Sequence, residues 1–141
     1  MTTAGATKMV LIVEDDFHKL ASIEQIAEEA GLLSVSRLTA VDGVWFLRQY
    51  FDVGFDRRTA PRLVGVITDW NMPRRFGEQI TKGAGDMVLR EMRQHPGLPV
   101  IVFSGDSRPH DVAHDVTWCT SDRPETLLAW LKAIVPREDK A

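Results

Sequence analysis

Two short apolar runs in this chain each end in acidic residues, and this arrangement limits the possible folds more than any other feature. The first run, MVLIV at positions 9–13, leads into three acids at positions 14–16. The second, LVGVIT at positions 63–68, leads into Asp69. Short runs rich in β-branched residues are typical of strands buried on both faces of a parallel sheet. The sequence therefore favours an α/β fold with acids at two strand ends.

Apolar spacing along the chain predicts five strands that alternate with five helices. The expected strands are residues 9–13, 33–36, 63–68, 99–103 and 116–119. The expected helices are residues 17–30, a short one around 44–47, one capped by Asp86 that runs through 92, a short one within 106–115, and one that starts at Pro124 and stops at Pro136. Gly31 is placed to end the first helix. This alternation predicts an open parallel sheet covered by helices on both sides.

Residues 74–85 do not fit the alternation. They contain Arg74, Arg75, Lys82 and three glycines, and they predict a long, polar and flexible connection. A shorter loop is expected over residues 52–62.

Size and composition bound the class of protein. With 141 residues, a single domain is expected over 1–141, with its core at about 8–135 and no output domain. A net charge of −3 does not favour binding to nucleic acid or to a membrane. The single cysteine, Cys119, fits a reducing compartment, and the N-terminus lacks a signal-peptide pattern. A cytoplasmic location is expected.

The acids at the two strand ends predict a metal site. Because the carboxyl ends of parallel strands meet at one edge of a sheet, Glu14, Asp15 and Asp69 are expected to converge. Like charges at short range repel, and a hard divalent cation is the usual partner for them. Asp16 is interpreted as a helix N-cap or a solvated neighbour, although a shift of one residue would make Asp15 and Asp16 the pair. Each acid alone is typical of a solvated strand end.

The residues around Asp69 carry a family resemblance. The segment ITDWNMP at positions 67–73, the acidic cluster and Ser104-Gly105 after the fourth strand form a specific combination. This combination resembles the receiver domains of bacterial two-component response regulators, especially the single-domain regulators of chemotaxis. The resemblance covers roughly residues 8–135. It implies a doubly wound, flavodoxin-like (βα)5 fold with strand order 2-1-3-4-5.

The resemblance also implies roles for individual residues. Asp69 would accept a phosphoryl group from a histidine kinase or a histidine phosphotransfer protein. The implied Mg²⁺ ligands are Asp15, Asp69, the backbone carbonyl of Asn71 and, through water, Glu14. The hydroxyl of Ser104 would bind a phosphoryl oxygen.

The chain departs from the family at two positions. Arg123 precedes Pro124 where receivers carry a lysine that contacts the phosphoryl group, and its planar fork differs from a compact ammonium. Thr120 stands at the family's aromatic switch position, and Trp118 is the candidate substitute. Two functions follow. One is a phosphoacceptor that signals through protein contact, and the alternative is a degenerate receiver that binds a protein without phosphorylation.

Other sequence patterns give weaker evidence about function. A true enzyme is not expected, because an aspartate-nucleophile phosphatase would need a second acid at position 71, which is Asn, and the P-loop pattern is absent. His110 and His114 have the spacing of a helical metal clip, but a solvated loop is favoured.

Overall fold

The computed structural model describes residues 7–52, 54–56, 58 and 61–139. The strands are β1 (Lys8–Val13), β2 (Leu33–Arg37), β3 (Arg62–Thr68), β4 (Met72–Pro73), β5 (Ile80–Thr81), β6 (Val100–Ser104) and β7 (Thr117–Thr120). The helices are α1 (Phe17–Glu29), α2 (Ala40–Tyr50), α3 (Asp86–Met92) and α4 (Pro124–Asp139). None of the helices described here has the length and apolar character needed to cross a membrane.

Five strands form one parallel sheet in the order β2-β1-β3-β6-β7. Since β6 and β7 are the fourth and fifth strands of this sheet along the chain, the order is the expected 2-1-3-4-5. The doubly wound, flavodoxin-like α/β fold is therefore confirmed. The loop expected over residues 52–62 lies partly outside the described residues.

The core lies on both faces of β1 and β3, which are almost completely buried. On one face, α1 and α4 cover the sheet, and Leu127 and Leu131 of α4 are fully buried. On the other face, α2 and α3 cover it through Leu47 and Val88. Each such side chain contributes roughly 1.5–3 kcal/mol by leaving water. This burial explains why the two central runs are apolar as far as Val13 and Ile67.

The ends of α1 follow from two residues. Asp16 is the N-cap, and its Oδ1 accepts hydrogen bonds from the backbone N–H groups of His18 at 2.9 Å and Lys19 at 3.2 Å. Gly31 has a φ of 81°, a left-handed conformation that glycine adopts without strain, and it ends the helix. Of the two interpretations of Asp16, the N-cap is the one observed.

The helix expected within 106–115 is not formed. The connection from β6 to β7 consists of turns, in which Val112 donates from its backbone N–H to Pro109 O at 3.2 Å. The side chain of Arg108 reaches His114 O at 3.4 Å. Residues 106–115 are few and include Pro109. They are too few to form a helix and also to connect the end of β6 to the start of β7.

Residues 74–85 contain a short strand that the sequence analysis did not predict. β4 and β5 pair as an antiparallel hairpin, with Met72 opposite Thr81 and Pro73 opposite Ile80. The backbone N–H of Val41 in α2 donates to Arg74 O at 2.8 Å and ties the hairpin to the sheet's helical layer. The connection is polar and consists mostly of turns, as predicted, but it contains the short strand β5.

Two helix boundaries also differ from expectation. Gly85, not Asp86, is the N-cap of α3, and Asp86 instead pairs with Arg90 one turn later at 2.7 Å. The last helix continues past Pro136 to Asp139. Buried contacts of Leu131 and Ile134 in the preceding turns outweigh the hydrogen bond that a proline cannot donate.

The start of α3 packs against the backbone that follows β3. Gly85 donates to Trp70 O at 2.8 Å, and a Cβ at this position would overlap the backbone oxygen of Asp69 and lie 3.0 Å from Trp70 Cα. We expect Gly85→Ala to lower the free energy of unfolding by about 1–3 kcal/mol, measured by urea denaturation. The matched control is Gly97→Ala, where a Cβ meets nothing within 4 Å. Equal stability of the two variants would contradict the close approach.

Candidate functional site

The register between β1 and β3 places two acids side by side. Val13 is the partner of Thr68 in the ladder, so Glu14 and Asp69 are the next residues on the two strands. The pairing continues beyond the strands, because Asp69 N donates to Val13 O at 2.9 Å and Glu14 N donates to Arg37 O at 3.0 Å. Both acids are thereby held at the carboxyl edge of the sheet.

Three carboxylates meet at this edge. One oxygen from each of Glu14, Asp15 and Asp69 lies within 4.8 Å of the others. Within the described part of the chain, this is the only group of three or more His, Cys, Asp or Glu residues with such spacing. Asp16 is exposed and serves as the helix cap, so the alternative pair of Asp15 and Asp16 is not observed.

The acids differ in their exposure. The Glu14 side chain is 1% exposed and the Asp69 side chain 11% exposed, while Asp15 is half-buried. Burial raises the pKa of Glu14 from 4.5 to about 7, the charge of Asp69 raises it further, and Lys19 opposes both. Burial also raises the pKa of Asp15, again with a contribution from Asp69. The site therefore holds more negative charge than its surroundings can solvate.

Lys19, which the sequence analysis did not select, is the cation of this site. Its Nζ lies 3.2 Å from Glu14 Oε1 and 3.3 Å from Asp69 Oδ1. The same ammonium stands 5.6 Å from the centroid of the Phe103 ring. A signal was present in the sequence: Asp16 as N-cap places Lys19 in the first turn of a helix that begins at the acidic strand end.

The residues fit a hard divalent cation. Glu14 Oε2 accepts a hydrogen bond from Asp16 N at 3.1 Å, whereas Glu14 Oε1 accepts none from the described residues and has only the ion-pair contact with Lys19. A buried oxygen without a hydrogen bond, next to two further carboxylates, is a donor set that a cation could complete. Carboxylate oxygens are the ligands that Mg²⁺ and similar ions prefer.

Two of the remaining predicted residues lie at the same edge. Ser104 ends β6, is 1% exposed, and accepts a hydrogen bond at its Oγ from Asp106 N at 3.2 Å. Asn71 follows β3, where its Nδ2 donates to Asp106 Oδ2 at 2.7 Å and its Oδ1 accepts from Gly83 N at 3.0 Å. The Asn71 side chain therefore joins the loop after β3 to the loop after β6 and to the end of the hairpin.

Arg123 lies elsewhere. It is exposed in the turn between β7 and α4, where its backbone N–H donates to Thr120 O at 3.0 Å. In the portion of the chain that the structure describes, its guanidinium forms no ion pair with the three acids. His110 and His114 are exposed in turns, so the helical spacing of a metal clip does not arise.

Trp118 lies beside the site rather than facing away from it. Its Nε1 donates to Asp106 O at 3.0 Å, and its ring packs edge-on against Trp70 with centroids 5.4 Å apart. Trp70 is 7% exposed and follows Asp69 directly, with its backbone N–H donating to Asp69 Oδ1 at 2.7 Å. Two tryptophans thus cover the side of the loop after β3 that faces the β6–β7 connection.

Solved structures similar to this chain include receiver domains of response regulators. A CheY-like response regulator receiver domain protein from Methanospirillum hungatei JF-1 is 19% identical, with a TM-score of 0.66 over 95% of this chain and 98% of that chain. The signal receiver domain of an HD domain-containing protein from Pseudomonas fluorescens Pf-5 is 13% identical, with a TM-score of 0.68 over 96% and 99%. This chain has the receiver-domain fold.

A third neighbour is a metal-bound response regulator. The Mn²⁺-bound form of the response regulator Rcp1 is 22% identical, with a TM-score of 0.60 over 90% of this chain and 91% of that chain. No protein-family model matches the sequence, and no curated protein matches it.

The burial of Glu14 makes the stability of the metal-free protein depend on pH. Because the folded-state pKa is raised, the uncharged form stabilises the fold fully below pH 4.5, and this contribution is lost as the pH rises through about 7. In a chelator, we expect the free energy of unfolding to fall across this range by on the order of 1–3 kcal/mol more in the wild type than in Glu14→Gln.

Urea unfolding at several pH values measures this difference. Glu78→Gln, at an exposed position of the hairpin, is the control and should follow the wild type. Parallel curves for the wild type and Glu14→Gln would show that Glu14 is not the group responsible.

Proposed function

We propose that the chain is a response-regulator receiver that accepts a phosphoryl group on Asp69. The donor would be the phosphohistidine of a histidine kinase or a histidine phosphotransfer protein, and the reaction would depend on Mg²⁺. The observation that carries the proposal is the convergence of Glu14, Asp15 and Asp69 within 4.8 Å at the carboxyl edge of a receiver-type sheet. The protein would act in the cytoplasm through contact with another protein, not by turning over a metabolite.

Asp69 has the position and chemistry of an acceptor. One of its carboxylate oxygens attacks the phosphorus, the bond from phosphorus to the donor nitrogen breaks, and that nitrogen keeps the electron pair. The product is an acyl phosphate, which water can later hydrolyse. The hydrogen bond from Trp70 N to Asp69 Oδ1 limits rotation of the carboxylate and so fixes where the attacking oxygen points.

The implied metal would be held by this chain's own oxygens. Asp15, Asp69 and the backbone carbonyl of Asn71 would ligate it directly, and Glu14 would act through water. When bound, Mg²⁺ supplies positive charge that neutralises carboxylate and phosphoryl oxygens.

Ser104 and Arg123 complete the proposed set. The Ser104 hydroxyl accepts from Asp106 N, so its own O–H hydrogen is free to be donated to a phosphoryl oxygen. Arg123 occupies the position of the family's lysine and would have to reach in from an exposed turn. Its role therefore has less support than that of the three acids.

A second function is favoured by one observation. Lys19 already pairs with Glu14 and Asp69, so the site is neutralised in part without any metal. Together with the exposed Arg123, this supports a receiver that binds its partner without being phosphorylated.

Mass spectrometry with a small acyl-phosphate donor separates the two functions. We expect the wild type to gain one phosphoryl group with Mg²⁺ and none in a chelator. The gain should be lost in Asp69→Asn, because an amide is not a nucleophile for this reaction, and kept in Asp115→Asn, where the exposed acid lies in a turn far along the chain.

Each other outcome has a defined meaning. A wild type that gains no phosphoryl group supports the phosphorylation-independent binding module. A gain that persists in Asp69→Asn assigns the acceptor to another carboxylate and overturns the role given to Asp69.

A further inference from the structure

Lys19 is placed between the two most buried acids of the site. Its Nζ is nearly equidistant from Glu14 Oε1, at 3.2 Å, and Asp69 Oδ1, at 3.3 Å. Its side chain is 20% exposed, so the ammonium is largely shielded from solvent. The charge of this one residue therefore acts on both the proposed acceptor and its neighbour.

We propose that Lys19 exchanges partners during the reaction. In the metal-free protein it neutralises Glu14 and Asp69, and after a divalent ion binds it contacts an oxygen of the phosphoryl group. This inference rests on the proposed phosphoryl transfer to Asp69 and assigns to α1 the ammonium that the sequence does not supply before Pro124.

Electrostatics favours the exchange. A divalent ion held by the three carboxylates would repel the ammonium, because Lys19 Nζ already lies within 3.3 Å of an oxygen of both Glu14 and Asp69. A phosphoryl group on Asp69 adds negative charge at the place that the ammonium leaves. The ammonium is a compact charge on a flexible four-carbon stem, so it can move without a change in the backbone.

The local structure determines where the ammonium can go. The backbone N–H of Lys19 is held by the Asp16 cap at 3.2 Å, which fixes the root of the side chain. Its Nζ lies 5.6 Å from the Phe103 ring centroid, and Phe103 immediately precedes Ser104 in β6. The side chain is therefore confined between the acceptor and the strand whose terminal hydroxyl is the other proposed phosphoryl contact.

Arg123 does not occupy this place. It is exposed and makes no ion pair with the acids among the described residues, whereas Lys19 already touches the acceptor carboxylate. Lys19 thus has the contact with the reacting group that a catalytic residue requires.

The first arm of the test measures metal affinity. Lys19→Met removes the charge that competes with the cation, so Mg²⁺ titrations followed by tryptophan fluorescence should show binding about threefold to tenfold tighter than in the wild type. Trp70, next to Asp69, supplies the signal. Lys132→Met removes an equal charge from an exposed position of α4 and should leave the affinity unchanged.

The second arm measures phosphorylation at saturating Mg²⁺ with a small acyl-phosphate donor. Loss of a fixed positive contact to the phosphoryl group should slow uptake at least tenfold in Lys19→Met. Lys19→Arg should recover part of the rate, and Lys132→Met should remain within about twofold of the wild type. Circular dichroism checks folding, and Lys19→Gln replaces Lys19→Met if the methionine variant does not fold.

Opposite effects on the two measurements support the inference, since a structural defect would weaken both. A wild-type uptake rate in Lys19→Met, or an equal loss in Lys132→Met, overturns it while the proposed function stands. Unchanged or weaker Mg²⁺ binding in Lys19→Met also overturns it. A wild type that takes up no phosphoryl group overturns the proposed function and, with it, the phosphoryl contact of Lys19.

Discussion

The pairing of β1 with β3 is the constraint on which the site depends. Because Val13 lies opposite Thr68, the chain brings Glu14 and Asp69 together as soon as the sheet forms. Both side chains are largely removed from water, so their charges repel more strongly than they would at the surface. Burial first, and then the charge of Asp69, raise the pKa of Glu14. The fold therefore brings together carboxylates that repel one another, and Lys19 in the first turn of α1 neutralises part of their charge.

Much of the fold could be predicted from the sequence because the central strands are uniformly apolar. The runs that became β1, β3 and β6 have no polar residue before their ends, which reflects burial on two faces. The β4–β5 hairpin could not be predicted, since strands of two residues have no periodicity. The length of α4 could not be predicted either, because buried leucines outside the turn that contains the proline stabilise the helix.

The residues of the site likewise fall into those that the sequence pattern could place and those that it could not. Positions that follow from strand ends and register, namely Glu14, Asp15 and Asp69, could be placed from the sequence alone. The contacts of Lys19 could not be predicted, because they depend on how far a long side chain reaches from a helix to two strand ends. Asp106 likewise gains its role from folding, since its side chain meets Asn71 and its backbone carbonyl meets Trp118 only once the loops close. Turn residues of this kind leave little trace in sequence patterns.

The segment 14–19 both caps α1 and supplies the charges beside Asp69. Within one short stretch, Glu14 supplies a carboxylate, Asp16 holds the first backbone N–H groups of α1, and Lys19 supplies the counter-charge. A change at Asp16 would remove no proposed ligand of the metal or of the phosphoryl group, yet fraying of the first helical turn would carry the ammonium away from Asp69. The electrical potential at Asp69 thus depends on the stability of one helical turn, and a substitution within residues 14–19 could change both together.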